Sequence, residues 1–290
     1  MALFARSAEL LQQSFNVLRR DKRLVVFPVL SSIACLAVLA SFVVPLVVTG
    51  VLEQVIAYGS KGGKGELHPY VREIGTLLTF VYYFANYFVI VFFNTALVAC
   101  AMERFAGREP TVGGGLRHAV GLMPQIVGWV AVSATVGTLL KAIEDRVGFI
   151  GKLVTAFVGV AWSIATYFVV PVLVVERLGP VEAVKRSTKM LSKTWGTALV
   201  ANVGLGLIGF LLYAAATIPA IVGIVFTAQM NHWAPIAIGG GITALLMVGL
   251  GLVTSAVSSI LVAALYRYAA TGEVPSGFEE SALRGAFGMK

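Results

Sequence analysis

The chain has 290 residues, of which 58% are hydrophobic and 12% are charged, and its formal net charge is +8. The charged share is about half that of an ordinary soluble domain, near 25%, so the chain lacks the polar side chains that a surface in water requires. Its basic residues stand in short clusters between long uncharged stretches. The composition therefore indicates a membrane protein. It excludes a disordered chain and a nucleic-acid-binding protein, which needs one continuous basic face.

Five uncharged stretches are long enough to cross the roughly 30 Å hydrocarbon core of a bilayer. They are residues 24–52, 74–102, 119–140, 153–175 and 194–266. The last stretch is too long for one helix, and a polar turn with a proline at 229–235 divides it into spans near 196–228 and 236–266. We expect the first span to be retained rather than cleaved, and its excess length to be absorbed by tilt or by bends at Pro28 and Pro45. The sequence predicts an all-α, polytopic membrane helix bundle with six transmembrane helices.

Lys and Arg are distributed unequally between the two sides of this bundle. The N-terminus, the second-to-third connection, the fourth-to-fifth connection and the C-terminus together carry 16 of them, and the other connections carry 6. Short loops rich in Lys and Arg stay in the cytoplasm. The sequence therefore predicts a multi-pass protein of the inner cell membrane with both termini in the cytoplasm.

Three segments that precede the first, third and fifth spans have the spacing of amphipathic helices. Their apolar stripes are Phe4, Ala8, Leu11, Phe15 and Leu18; Val112, Leu116, Ala119, Met123 and Ile126; and Val184, Thr188, Leu191 and Trp195. The first and last segments superpose when Ser7 is aligned with Ser187. The pattern predicts three in-plane helices, each followed by a transmembrane hairpin, in units at about 4–102, 112–175 and 181–266. These units form one domain, 1–272, followed by a short polar cytoplasmic tail, 273–290.

Basic residues occupy the polar faces and the C-terminal ends of the first and last in-plane helices. Such helices lie at the headgroup boundary and are attracted by anionic lipid. The predicted contacts to anionic headgroups at the cytoplasmic face are Arg19, Arg20, Lys22, Arg23, Lys185, Arg186, Lys189, Lys193 and Trp195. One interpretation is a lipid sensor or a gate lever; the other is that these helices only anchor and orient the spans.

Two stretches resemble a known family. Residues 161–176, AWSIATYFVVPVLVVE, and 179–196, GPVEAVKRSTKMLSKTWG, are similar to the signature of an uncharacterised prokaryotic family of six-helix membrane proteins, a domain of unknown function. The N-terminal block around Ser14-Phe15 and Phe27-Pro28 is similar to the opening of that family. The helix-and-hairpin layout is also loosely similar to the membrane domain of some glycerophosphodiester phosphodiesterases. The resemblance implies a six-helix topology and no reaction, ligand or functional residue.

The chain has no sequence pattern of an enzyme, cofactor or metal site. Acidic and basic residues do not occur between the span ends, where ion pathways usually need them. The three histidines, His68, His118 and His232, fall in separate connections without the spacing of metal ligands. An enzyme is therefore the least favoured class. The polar residues inside the spans that stand out are Asn86, Asn94, Asn202, Tyr83, Tyr87 and Thr166.

Two interpretations of these six residues remain open. The asparagines stand among small residues at helical spacing, which favours hydrogen bonds between packed helices. Alternatively, all six line a cavity for a polar solute or a lipid headgroup. The leading hypothesis for function is a non-enzymatic protein that binds or organises lipid or membrane partners, including a second copy of itself. The alternative is a transporter or channel for a small uncharged or lipid-like solute. A dry core would favour the first, and a continuous polar cavity the second.

Overall fold

The computed structural model describes residues 2–60, 69–144, 147, 149–192, 210–230 and 233–286. Secondary structure within these ranges is helical, and they contain no strand. Six helical segments in them are long and apolar enough to cross a membrane: Lys22–Val48, Leu77–Phe105, Met123–Glu144, Gly151–Glu176, Phe210–Thr227 and Ala234–Thr271. The chain is an all-α integral membrane protein with six spans, as its uncharged stretches predict.

Amphipathic helices alternate with the spans along the chain. The helices are α1 (Ala2–Arg20), α2 (Val26–Val48), α3 (Val51–Ser60), α4 (Pro69–Phe105), α5 (Val112–Val120), α6 (Met123–Glu144), α7 (Phe149–Ala165), α8 (Val169–Glu176), α9 (Pro180–Ser192), α10 (Ile218–Met230), α11 (Ala234–Thr271) and α12 (Glu280–Ala286). A short 3-10 helix, Lys22–Val25, joins α1 to α2. The amphipathic helices α1, α5 and α9 precede the first, third and fifth spans.

Prolines and glycines set the ends of two spans. Pro28 lies in the first turn of α2, where a missing N–H group breaks no helical hydrogen bond. Pro45 lies inside α2, which ends three residues later, before a turn whose Gly50 has a φ of +71°. The fourth span is interrupted between α7 and α8, three residues before Pro171. Proline lacks the N–H group that would continue the preceding turn, so the span consists of two helices.

The spans have an approximate threefold arrangement. The even-numbered spans meet at the centre, where α4, α8 and α11 contact one another. Each odd-numbered span packs outside, against its hairpin partner. Each amphipathic helix packs on the end of an even-numbered span. α5 packs on α4 and α9 packs on α8, in each case the span just before it in the chain. α1 packs on α11, the sixth span, which closes the ring. The three amphipathic helices therefore occupy equivalent places around the bundle.

The hydrophobic core lies at one end of the bundle. We call this end, where α1, α5, α9 and α12 lie, the basic end; Leu97, Leu173 and Leu261 of the three central spans are fully buried there. We call residues 31–60, 69–90, 131–165 and 210–255 the open half. Among its described residues, only the small residues Ala216, Gly223 and Gly239 are buried. The protein is close-packed at one end and exposes its apolar side chains at the other.

The buried faces of α1 and α9 differ from the stripes predicted from sequence. Leu10, Ser14, Val17 and Leu18 are buried on α1, and Ala183, Ser187, Met190 and Leu191 are buried on α9 with the same spacing. This pairs Ser14, not Ser7, with Ser187. Phe15 stays 46% exposed on the other side of the stripe. Sequence periodicity locates an apolar stripe, but it does not distinguish the part that meets protein from the part that meets lipid.

The segment after residue 272 folds back onto the basic end. The Phe278 ring packs edge-on against Phe105, with the ring centroids 5.8 Å apart. Leu283 of α12 is fully buried, and the backbone N–H of Glu279 donates to Gln13 Oε1 of α1 at 3.2 Å. This segment, predicted as a short polar tail, therefore contributes side chains to the core.

Candidate functional site

The polar residues predicted inside the spans lie at separate places, and Asn202 lies outside the described residues. Asn86 Nδ2 donates to the Tyr82 carbonyl of its own helix at 3.0 Å. Thr166 Oγ1 donates to the Trp162 carbonyl at 2.8 Å, also within its own turn, where α7 ends. These two hydrogen bonds satisfy the side chains locally and do not join helices. Tyr83 and Tyr87, one helical turn apart, both line a groove between α4 and α6.

Four buried polar atoms on α4 and α6 have no hydrogen-bond partner within the described part of the chain. They are Asn94 Oδ1, Thr95 Oγ1, Gln125 Oε1 and Ser133 Oγ. An unpaired polar group is costly in hydrocarbon, because no water is present to replace the missing partner. Ser133 also lines the groove between α4 and α6. The inner end of that groove therefore lies beside a buried hydroxyl group that has no hydrogen-bond partner among the described residues.

Three grooves run between neighbouring spans of the open half. One lies between α2, α3 and α4, has a volume of about 550 Å³ and is lined by residues such as Phe42, Leu46, Leu78 and Tyr82. The second lies between α4 and α6, and its volume is about 680 Å³. The third lies between α10 and α11, with about 450 Å³. These volumes fall within the range of about 300–1,000 Å³ that is typical of small-molecule sites.

The α4–α6 groove differs from the other two in having a charged end. Its lining includes Lys141, whereas the described residues that line the other two grooves are all uncharged. From Lys141 the groove follows α6 through Thr138 and Gly137 to Ser133. Eight residues of helix rise about 12 Å. The groove is thus amphipathic along its length, with an ammonium group at one end and aromatic and small side chains behind it.

A cluster of charged and hydroxyl groups joins three helices at the basic end. Arg186 Nε of α9 donates to both carboxylate oxygens of Glu176, at 2.8 and 3.0 Å. The Tyr266 hydroxyl of α11 donates to the same carboxylate at 2.9 Å. The hydrogen bond to Glu176 raises the pKa of the Arg186 guanidinium. Arg186, predicted to contact headgroups, thus forms an ion pair with Glu176 and keeps 37% of its side chain exposed.

Ser187 closes the break in the fourth span. Its Oγ accepts a hydrogen bond from the backbone N–H of Phe168 at 3.0 Å. That N–H lies in the turn between α7 and α8, and both Phe168 and Ser187 are fully buried. A side chain of the amphipathic helix α9 therefore satisfies the backbone group that the interrupted span leaves without a helical partner.

The other predicted membrane-surface residues lie at the basic end or outside the described residues. Arg23 Nη1 donates to the Pro110 carbonyl at 3.2 Å, which ties the start of the first span to the loop before α5. Lys193 and Trp195 are among the residues that the structure does not describe. The exposed side chains are Arg19, Arg20, Lys22, Lys185 and Lys189.

Sequence reasoning missed Lys141, Glu176 and Tyr266. All three stand near span ends, where the pattern of Lys and Arg predicts orientation and nothing else. Gly137 and Thr138 lie four and three residues before Lys141, so all three share one face of a helix. This spacing is the signal that could have indicated a charged end to a face of small residues. Within the described ranges, no group of three His, Cys, Asp or Glu side chains is placed to hold a metal ion.

The comparisons with known proteins identify a family and no activity. The model of DUF6159, described as a family of unknown function, matches residues 73–278. No curated protein and no solved structure matches the chain. The loose likeness to the membrane domain of glycerophosphodiester phosphodiesterases therefore has no support.

Proposed function

Because the chain belongs to DUF6159, a family of unknown function that supplies no activity to carry over, we propose from its geometry that it binds membrane lipid. In this proposal the protein is not an enzyme: the basic end holds the six spans together, and the grooves of the open half receive acyl chains. Its role is to bind and organise lipid in the surrounding bilayer.

The contrast between the two halves is the observation that carries the proposal. Spans packed for assembly alone would bury their contact faces along their whole length, as small-residue faces of membrane helices do. Here the burial of large side chains stops at about mid-span, although α10 and α11 still meet at Gly223 and Gly239, and side chains such as Phe157 and Leu245 are 67% and 76% exposed. In a bilayer, acyl chains are the available molecules that cover such surfaces.

The centre of the basic end supports lipid binding over the transport of a solute. A solute that follows the threefold centre of the bundle would have to pass between α4, α8 and α11. Leu97, Leu173 and Leu261 are 0–1% exposed at that position. These three side chains are apolar and fill the centre, which supports the organising role over a channel.

The outer surface of the basic end supports contact with anionic headgroups. Phe15 remains 46% exposed on α1, and the exposed cations Arg19, Arg20 and Lys22 follow at its C-terminal end. An apolar side chain beside a row of basic residues is the composition of helices that lie at the headgroup boundary. Each basic residue near an anionic surface contributes about 1 kcal/mol of attraction.

The test is to purify the full chain in a mild detergent and to measure bound phospholipid by native mass spectrometry. We expect at least one phospholipid to stay bound per chain after repeated washing with detergent. A chain that emerges free of lipid, and that carries a small uncharged solute across the membrane of a reconstituted vesicle, would overturn the proposal and favour the transporter.

A further inference from the structure

We infer that the α4–α6 groove binds one anionic phospholipid, with the phosphate at Lys141 and one acyl chain lying between α4 and α6. This inference rests on the lipid-binding function proposed above. It adds a location and a headgroup chemistry to that function.

The length and position of the groove match one leaflet. Lys141 stands three residues before the end of α6, and its side chain is 64% exposed, so its ammonium group lies near the end of the span. Ser133 lies about 12 Å further along α6, and half of the hydrocarbon core is about 15 Å thick. A phosphate at Lys141 would therefore place the end of the groove near the middle of the bilayer.

The groove has a polar end, which suits a headgroup, followed by an apolar lining, which suits an acyl chain. Phe80, Phe84, Ala134 and Gly137 supply aromatic and small surfaces along the groove. Tyr83, which is 67% exposed, also lines it. Tyrosine favours the boundary between headgroups and hydrocarbon, because its ring is apolar and its hydroxyl forms hydrogen bonds.

The charge at the end of the groove selects an anion. Lys141 Nζ lies 3.6 Å from Glu144 Oε2, and the Glu144 side chain is 42% exposed. Ion pairs that are this exposed to solvent contribute little to stability. A lipid phosphate can therefore replace the Glu144 carboxylate with little loss of free energy. The described residues that line the grooves at α2–α4 and α10–α11 are uncharged, so they supply no such preference.

Four single variants of the full chain test the site. Lys141→Gln removes the charge at the groove, and Lys152→Gln removes an exposed charge on α7, away from the groove. Gly137→Leu fills the groove. Gly159→Leu is its control, because a side chain at either glycine would point into open space. Native mass spectrometry measures the binding of phosphatidylglycerol and phosphatidylcholine with identical acyl chains to each delipidated variant.

We expect the unmodified chain to bind phosphatidylglycerol about five-fold more tightly than phosphatidylcholine, from about 1 kcal/mol for one lysine near the lipid. Lys141→Gln should abolish that preference, and Lys152→Gln should keep it. Gly137→Leu should remove one bound lipid of either kind, and Gly159→Leu should leave it.

Equal effects of the two lysine variants, or of the two leucine variants, would overturn the assignment of lipid to this groove. If lipid were still bound elsewhere on the chain, the proposed function would stand. An unmodified chain without bound lipid would refute the proposed function itself. If a second copy of the chain occupied the groove, Gly137→Leu would convert a dimer to a monomer and leave the lipid preference of the chain unchanged. That result would also contradict the inference.

Discussion

Two buried serines at matching places on α1 and α9 form different hydrogen bonds. Ser14 Oγ donates to the Leu10 carbonyl of its own helix at 2.8 Å. Ser187 Oγ instead accepts from Phe168 N–H, in the interrupted fourth span. The first hydrogen bond is added to a helix whose backbone N–H and C=O groups already have partners. The second satisfies a buried donor, and such a donor is costly when it is left alone.

We therefore expect Ser187→Ala to destabilise the protein more than Ser14→Ala. Loss of the Phe168 partner should lower the free energy of unfolding by about 1–3 kcal/mol, the usual effect of leaving a buried donor unpaired. Ser14→Ala should change it by less, because the Leu10 carbonyl keeps its helical partner and alanine favours helix. Thermal unfolding of both variants in the same detergent measures the difference. Equal melting temperatures would contradict this account of the α7–α8 break.

At the scale of elements, α5 packs on α4 through a glycine. A Cβ atom at Gly115 would lie 2.6 Å from Cys100 Sγ, 2.8 Å from the Ala96 carbonyl oxygen and 2.9 Å from Phe27 Cζ. The helices can approach this closely because the side chain is absent. Gly113, in the same helix, faces open space. The two glycines thus form a matched pair within one helix.

Gly115→Ala should separate α5 from α4 and lower the free energy of unfolding by about 1–3 kcal/mol, the usual effect of overpacking. Gly113→Ala should raise it by about 0.5–1 kcal/mol, because alanine restricts the unfolded chain and favours helix. Thermal unfolding checks both variants. A Gly115→Ala protein as stable as the Gly113→Ala protein would show that α5 does not need this close contact.

The whole molecule is held together at the basic end, where its first and last helices meet. The Phe278 ring fills a place beside Phe105, and Gly277, with a φ of +94°, brings the chain against Val17 of α1. The segment after the sixth span is therefore part of the same core as the segment before the first. In the open half, α10 and α11 approach closely at Gly223 and Gly239, but no large side chain is buried within the described ranges.

Phe278→Ala should lower the free energy of unfolding by about 3 kcal/mol, the lower part of the range for a buried phenylalanine. Val274→Ala, at a side chain 39% exposed in the same segment, should change it by well under 1 kcal/mol. Denaturant titration in mixed micelles compares the two. A small effect at Phe278 would mean that the end of the chain contributes no core packing.

The unequal distribution of Lys and Arg makes a prediction about the orientation of the molecule. In a variant without Cys35 and Cys100, a cysteine at Gln229 should react with a membrane-impermeant thiol reagent in intact cells. A cysteine at Ser276 should react only after lysis, because the basic end is expected in the cytoplasm. Both positions are exposed, so access to the reagent depends on the side of the membrane. The reverse labelling pattern would contradict the predicted orientation.

The spans were predictable from sequence because length and the absence of charge alone define them. The buried faces of α1 and α9 were not, because Phe15 and Leu18 are equally apolar although one faces outward and the other faces the core. The groove with Lys141 at its end joins residues of two spans, and no pattern within one segment shows which spans are neighbours. Ser187 was visible as part of a repeat, but its partner, a backbone N–H in another helix, leaves no trace in the sequence.

The contact between α1 and α11 affects how the protein can be made. Ribosomes add about 5–20 residues per second, so α1 leaves the ribosome roughly 12–50 s before its partner is complete. During that time the face of α1 formed by Leu10, Val17 and Leu18 has no protein surface to pack against. The membrane surface is the apolar surface available to it. The contact between α1 and α11 therefore cannot form until α11 has been synthesised, and a nascent chain that stops before α11 leaves α1 without its site.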